Sequence, residues 1–240
     1  MTASTGTHAG GRVRRTVDHL ADGREIIYFD DTEPYVSGGA TRAVPDTRPL
    51  EPAAGGGAQL RFDVLTGEWV AIASHRNTRT FLPPANECPL CPTGRGVVPS
   101  EIPASDYDVV VFENRFPSFS MSATGEPGFL DGEELFPVRP GRGRCEVVTF
   151  TDDHDSSFAA LEPARVRTVI EAWADRTAEL SQLPGIENVF CFENRGREIG
   201  VTLTHPHGQI YAYPYLPPRA AQLVRQAAAH REKTGRNLLA

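Results

Sequence analysis

The sequence predicts an α+β domain built on a mostly antiparallel sheet. Short runs of β-branched and aromatic residues alternate with turn residues, which marks strands joined by hairpins. Two helical patterns stand apart from those strands instead of alternating with them. The glycines around Asn194 and Gly200 are too loosely spaced for the Gly-rich fingerprint of a parallel nucleotide-binding fold.

Taken in order, residues 1–57 read as a weakly patterned N-terminal extension with one strand, Glu25 to Phe29, and a Gly-rich linker at its end. The core is expected to begin at Leu60, within a single domain spanning 58–240. The stretch LRFDVLTGEWVAIA alternates about Thr66-Gly67 and predicts a hairpin. Further strands are predicted at Val109–Phe112, Cys145–Phe150, Asn188–Phe192 and Gly208–Tyr213. A helix is predicted from Pro163 to Leu180, with proline suited to its first turn and Val166, Ile170, Trp173 and Thr177 recurring at helical spacing. A second runs from Pro218 to Lys233, with Gly235 as its stop.

Composition narrows the function. The 240 residues carry 22 Gly and 20 Pro, an excess that points to many turns around a 40% hydrophobic content. A net charge of −7 argues against nucleic acid as the main ligand, although a few local arginines suffice for a small phosphorylated one. No apolar run reaches the ~18–20 residues of a membrane span, and no signal-peptide pattern opens the chain, so a cytoplasmic protein is expected.

Two motifs carry chemistry. Cys88 and Cys91 form a C-x-x-C pair, a spacing suited to metal binding or to redox exchange; Cys145 and Cys191 fall in apolar strands and read as small buried hydrophobes. His8, His19, His75 and His230 read as surface residues. In Thr204-His205-Pro206-His207-Gly208-Gln209, histidines at i and i+2 of an extended chain point the same way, and Pro206 holds His205 extended. A neutral imidazole is a competent nucleophile toward phosphorus near pH 7, and Gln209 can hydrogen-bond a phosphoryl oxygen without adding charge.

The string HPHGQ resembles the active-site signature of the galactose-1-phosphate uridylyltransferase family, a branch of the histidine-triad superfamily. The resemblance covers roughly 59–218: RFDVLTGEWVAIASHRNTR is similar to the family's opening hairpin and HR-x-x-R element, and VVFENRF and VFCFENRGREIGVT to its two asparagine segments. It implies a histidine-triad-like catalytic domain in which His207 is the nucleophile and Arg76, Arg79, Asn114, Arg115, Asn194, Gly200, Val201, Thr202 and Gln209 line a UDP-sugar site. Arginine forks neutralise a diphosphate, asparagine amides read base or ribose, and a small residue such as Gly200 admits close backbone approach. Thr202 stands where some members have serine, so the hydroxyl is kept.

The resemblance also implies one structural zinc ion per chain on Cys88, Cys91, His154 and His205, two thiolates balancing the Zn2+ charge. Some members hold a second metal, usually iron; no acid stands between Tyr213 and Glu232 to ligate one here, and none is expected. The implied activity is transfer of UMP from UDP-glucose to galactose 1-phosphate through a uridylyl-histidine. Sugar contacts are expected from a second-half polypeptide or a homodimer partner. An ADP-sugar or dinucleotide phosphorylase of the same superfamily would share His207 and the zinc, and a zinc-stabilised non-catalytic subunit is the reading from another class.

Overall fold

The computed structural model describes residues 4–7, 12–51, 58–73, 82–94 and 99–239. Eleven strands are seen among them. A seven-stranded sheet has the order β1-β2-β3-β6-β9-β11-β10, every neighbouring pair antiparallel. Its strands are β1 (Ser4–Thr7), β2 (Arg14–His19), β3 (Glu25–Asp30), β6 (Val109–Glu113), β9 (Arg144–Thr149), β10 (Asn188–Phe192) and β11 (His207–Tyr213). A smaller sheet of order β5-β4-β8-β7 holds the predicted hairpin, β4 (Gln59–Asp63) and β5 (Glu68–Ile72), with β7 (Gly128–Phe129) and β8 (Pro137–Pro140). Gly67 closes that hairpin at φ +70°, a conformation that favours glycine. The α+β class with antiparallel sheets is as predicted.

Helix α1 (Pro163–Leu180) covers one face of the large sheet. Strand alternation sends Ile27, Phe29, Val109, Val111, Val148, Ile210 and Ala212 to that face, where they meet Val169, Ala172 and Leu180 of the helix. The buried stripe of α1 is not the one read from apolar spacing. Ile170 is 52% exposed, whereas Thr168 and Arg176 are buried. Arg176 grips Glu146 of β9 through Nε–Oε2 at 2.9 Å and a second guanidinium nitrogen to Oε1 at 2.8 Å. Thr168 Oγ1 donates to Asp31 at 2.5 Å. A periodicity count over apolar residues misses a face that buries paired polar groups.

The opposite face of the sheet is covered by the loop carrying Cys88 and Cys91. There Leu90, Ile102 and Tyr107 pack on Ile26, Tyr28, Val110 and Phe112. Farther along, Leu60 of the small sheet meets Phe119 and Cys145, flanked by Trp69 and the tyrosines of β11. Helix α2 (Pro218–Thr234) ends at Gly235 in the left-handed conformation, with φ +72°, and buries none of its residues. No helix among the described residues is long and apolar enough to cross a membrane.

One expectation is corrected. The core does not begin at Leu60: β3 pairs with β6 inside the large sheet, and Val13, Ile27 and Phe29 belong to the core under α1. Strand β2, with the polar sequence RRTVDH, carries little apolar signal, and EIIYFD is buried on both faces, so neither shows the alternation of a half-buried strand. The expected Gly-rich linker, at 52–57, lies outside the described residues. Cys191 is half-buried where full burial was expected, because β10 is an edge strand. Phe29 is fully buried. Phe29→Ala should therefore cost about 3–5 kcal/mol in denaturant unfolding; an unchanged midpoint would show that β3 is not part of the core.

Candidate active site and metal cluster

Cys88 follows a single 3-10 turn, Ala85–Glu87, and the amide of Cys91 donates to the Cys88 carbonyl at 3.3 Å. This tight turn aims both sulfurs at one point. His154 arrives from the loop after β9, and His205 from the bend just before β11. One ligand atom from each of the four residues lies within 4.8 Å of all the others. Cys88, Cys91 and His205 are buried, and His154 is half-buried.

The donor set fits a tetrahedral metal. Cys91 Sγ is 3.3 Å from His154 Nδ1 and 3.5 Å from His205 Nδ1. Zinc–sulfur and zinc–nitrogen bonds at a tetrahedral angle would set such atoms about 3.5 Å apart. Hydrogen bonding makes the same point. His205 Nε2 lies 2.8 Å from the Thr151 carbonyl, an acceptor only, so Nε2 carries the proton and Nδ1 presents a lone pair to the cysteines. The Tyr107 hydroxyl is 2.9 Å from the same nitrogen and donates to the Leu90 carbonyl at 2.7 Å. Burial pushes His205 down to about 4, which keeps it neutral at pH 7, the form that ligates. Two imidazole nitrogens converging on the cysteine pair favour a metal over redox exchange. The cluster could hold a metal ion.

Past the bend at His205-Pro206, β11 begins at His207. The i, i+2 alternation expected of the two histidines therefore relates His207 to Gln209 instead, while the bend carries His205 into the cysteine cluster. His207, Gln209, Tyr211 and Tyr213 face away from α1; Gly208, Ile210 and Ala212 face it and are buried. Gly208 is required by packing: a Cβ there would sit 2.8 Å from the Phe192 carbonyl oxygen and 2.9 Å from Phe150 Cζ. Any side chain would push β11 off its neighbours, and His207 with it.

His207 Nδ1 lies 2.7 Å from the His205 carbonyl oxygen. That acceptor fixes the proton on Nδ1 and leaves Nε2 with a lone pair. Burial holds the His207 pKa below its ordinary value, so the ring is neutral at pH 7. Two cavities meet at this side chain. The larger, about 600 Å³, is lined by Asn114, Arg115, Thr202 and Gln209 among the residues singled out from the sequence. The smaller, about 260 Å³, is lined by Asn194 and Val201.

The remaining expectations divide. Arg76 and Arg79 lie outside the described residues, as do His8 and His75. His19 is exposed and His230 half-buried. Gly200 lines neither cavity and has φ +74° with nothing within 4 Å of where a Cβ would stand, so its glycine suits a turn. Asn114 Oδ1 accepts from the Phe116 amide at 2.9 Å, which shapes the loop after β6. Arg115 is 47% exposed and pairs only loosely with Glu101, at 3.6 Å. The sequence reading missed Thr47, Arg48, Leu50, Glu101, Phe112 and Leu203, all on the wall of the larger cavity. Only Phe112, two residues before Asn114, and Leu203, next to Thr202, stood close enough to a recognised motif to be found.

Comparison with known proteins identifies a family. Residues 51–217 match the family model described as "Galactose-1-phosphate uridyl transferase, N-terminal domain". A galactose-1-phosphate uridylyltransferase of Streptomyces lividans is 49% identical over 223 residues, 93% of this chain and 55% of the relative. That of Thermotoga maritima is 41% identical over 163 residues, 67% of this chain and 48% of the relative. A solved structure titled "Structure of uridylyltransferase" superposes with a TM-score of 0.60 at 29% identity, covering 75% of this chain and 53% of that one. The chain spans about half the length of the curated relatives it matches. It belongs to the galactose-1-phosphate uridyl transferase family, whose N-terminal domain it carries.

Proposed function

We propose that this chain carries the nucleophilic half of an enzyme that moves UMP from UDP-glucose to galactose 1-phosphate. One observation supports the reading above the rest: the His207 imidazole donates from Nδ1 to the His205 carbonyl and keeps the Nε2 lone pair, on a ring where two cavities meet. In the first step the Nε2 lone pair attacks the α-phosphorus of UDP-glucose. A P–N bond forms, the bond from that phosphorus to the bridging oxygen breaks, and its electron pair leaves with glucose 1-phosphate. A phosphate oxygen of galactose 1-phosphate then attacks the same phosphorus, the P–N bond breaks, and UDP-galactose departs with His207 neutral again.

Gln209, on the same face of β11, offers a neutral hydrogen bond to a phosphoryl oxygen on which charge develops. Arg115, exposed and loosely paired, is available to phosphate, with Arg76 and Arg79 assigned alongside it by family resemblance. Asn114 and Thr202 would contact the nucleotide in the larger cavity; Asn194 and Val201 flank His207 in the smaller, beside the turn at Gly200. Sugar selection is assigned to a second-half polypeptide or a homodimer partner, and the whole assembly to the cytoplasm. Intact-mass measurement after incubation with UDP-glucose should show one uridylyl group per chain. The His207→Ala chain should show none, and Gln209→Ala should react more slowly by about 10²–10³-fold. Undiminished labelling of the His207→Ala chain would place the nucleophile elsewhere.

Zinc is the metal we assign to Cys88, Cys91, His154 and His205, in a structural role. A closed set of two thiolates and two imidazoles suits Zn2+ and leaves no open position for catalysis. When bound it would lock the bend from which β11 departs. Elemental analysis should find about one zinc per chain. Cys88→Ser and His154→Ala should each release it and lower the melting temperature markedly, since a structural zinc contributes on the order of 10 kcal/mol. Fully active protein free of metal would contradict the assignment.

A further inference from the structure

The family match begins at residue 51, yet part of the wall of the larger cavity comes from before it: Thr47, Arg48, Pro49 and Leu50. This short segment has no regular secondary structure and is held by ion pairs. Arg48 pairs with Asp46 through Nε at 2.9 Å and a terminal nitrogen at 2.7 Å, and its other terminal nitrogen reaches Glu101 at 3.0 Å. The Asp46 carboxylate in turn accepts from the Ala21 amide at 3.0 Å, which ties the segment to the β2–β3 turn. Glu101 is shared with Arg24 at 2.5 Å. The Arg48 side chain is only 10% exposed.

These bonds decide what the segment offers a ligand. The Arg48 guanidinium is taken up by two carboxylates, so it brings no spare positive charge to a diphosphate. The two residues that follow it on the cavity wall, Pro49 and Leu50, are apolar, in a space also lined by Leu90 and Phe112 and by the polar Thr47, Ser100 and Glu101. Apolar walls suit the faces of a flat, weakly charged ring.

We infer that Thr47–Leu50 form a wall over the nucleobase of the bound uridine nucleotide, with Pro49 and Leu50 in contact with the ring and Arg48 as the positioning residue that holds them there. The inference rests on the uridylyl-transfer reading. It adds a specificity element that the recognised motifs do not contain.

Photolabelling of the full chain with 5-azidouridine 5′-diphosphate tests it, because the nitrene formed at the base inserts into nearby C–H bonds, including those of proline and leucine. Peptide mapping should place adducts on the peptide containing Thr47–Leu50, and unlabelled UDP should suppress them. Leu50→Ala should weaken UDP binding about tenfold. Arg48→Ala should weaken it similarly and draw the adducts off this peptide, while Arg48→Lys should recover only part of the loss, because it keeps the charge but not the fork. Competable adducts confined to other peptides, such as that of Phe112, would overturn the wall while leaving the transferase reading intact. No competable adduct anywhere, together with no uridylylation by UDP-glucose, would overturn both.

Discussion

Much of this site depends on His205, a residue that does not itself line the larger cavity. Three of its polar atoms are committed. Nε2 donates to the Thr151 carbonyl, Nδ1 faces the cysteine pair, and the backbone carbonyl accepts the hydrogen bond from His207 Nδ1. The last bond gives His207 its tautomer. Because the ring of His205 is fixed from both sides, the peptide that carries its carbonyl is fixed as well, and with it the direction of the His207 lone pair. Tyr107, buried with its hydroxyl between Leu90 and His205, ties the cysteine loop to the same ring.

The large sheet supplies what the cluster alone cannot. His207 pairs with Thr149 and Gln209 with Val147, so β9 sets the height of both side chains above the sheet. On the far face, Gly208 accepts Phe150 in the space a side chain would fill, and Phe150 packs against Phe158 and Trp173. The Glu146–Arg176 pair pins β9 to α1. Removing one partner of a buried pair such as this typically costs about 3–5 kcal/mol, because the other is left charged without water. His207 thus stands on a strand braced on both faces, a rigid base for the bond formation proposed for it.

The site was more legible in the sequence than the fold around it. HPHGQ and the cysteine pair are short strings in which several residue types are constrained at once, by packing at Gly208 and by geometry at Pro206. The ends of α1 and of the strand Asn188–Phe192 fall where the sequence places them, because proline and the apolar run mark them. Strand β2 did not announce itself, since RRTVDH is polar and its Arg15 finds Asp175 and Glu179 only once the chain is folded. The buried face of α1 was misread for the same reason, its key side chain being an arginine. The wall at Thr47–Leu50 could not be seen either, because Arg48 meets Glu101 across 53 residues. Contacts between charges far apart in the chain leave no period to read.

The central claim is that the His205 carbonyl holds the proton of His207 on Nδ1 and leaves Nε2 to form the bond to phosphorus. Nitrogen-15 NMR of the uridylylated protein, with labelled histidine and phosphorus coupling resolved, tests it most directly. The account predicts a single phosphoramidate at Nε2 of His207, with Nδ1 still protonated. A phosphorus bond at Nδ1 would contradict it.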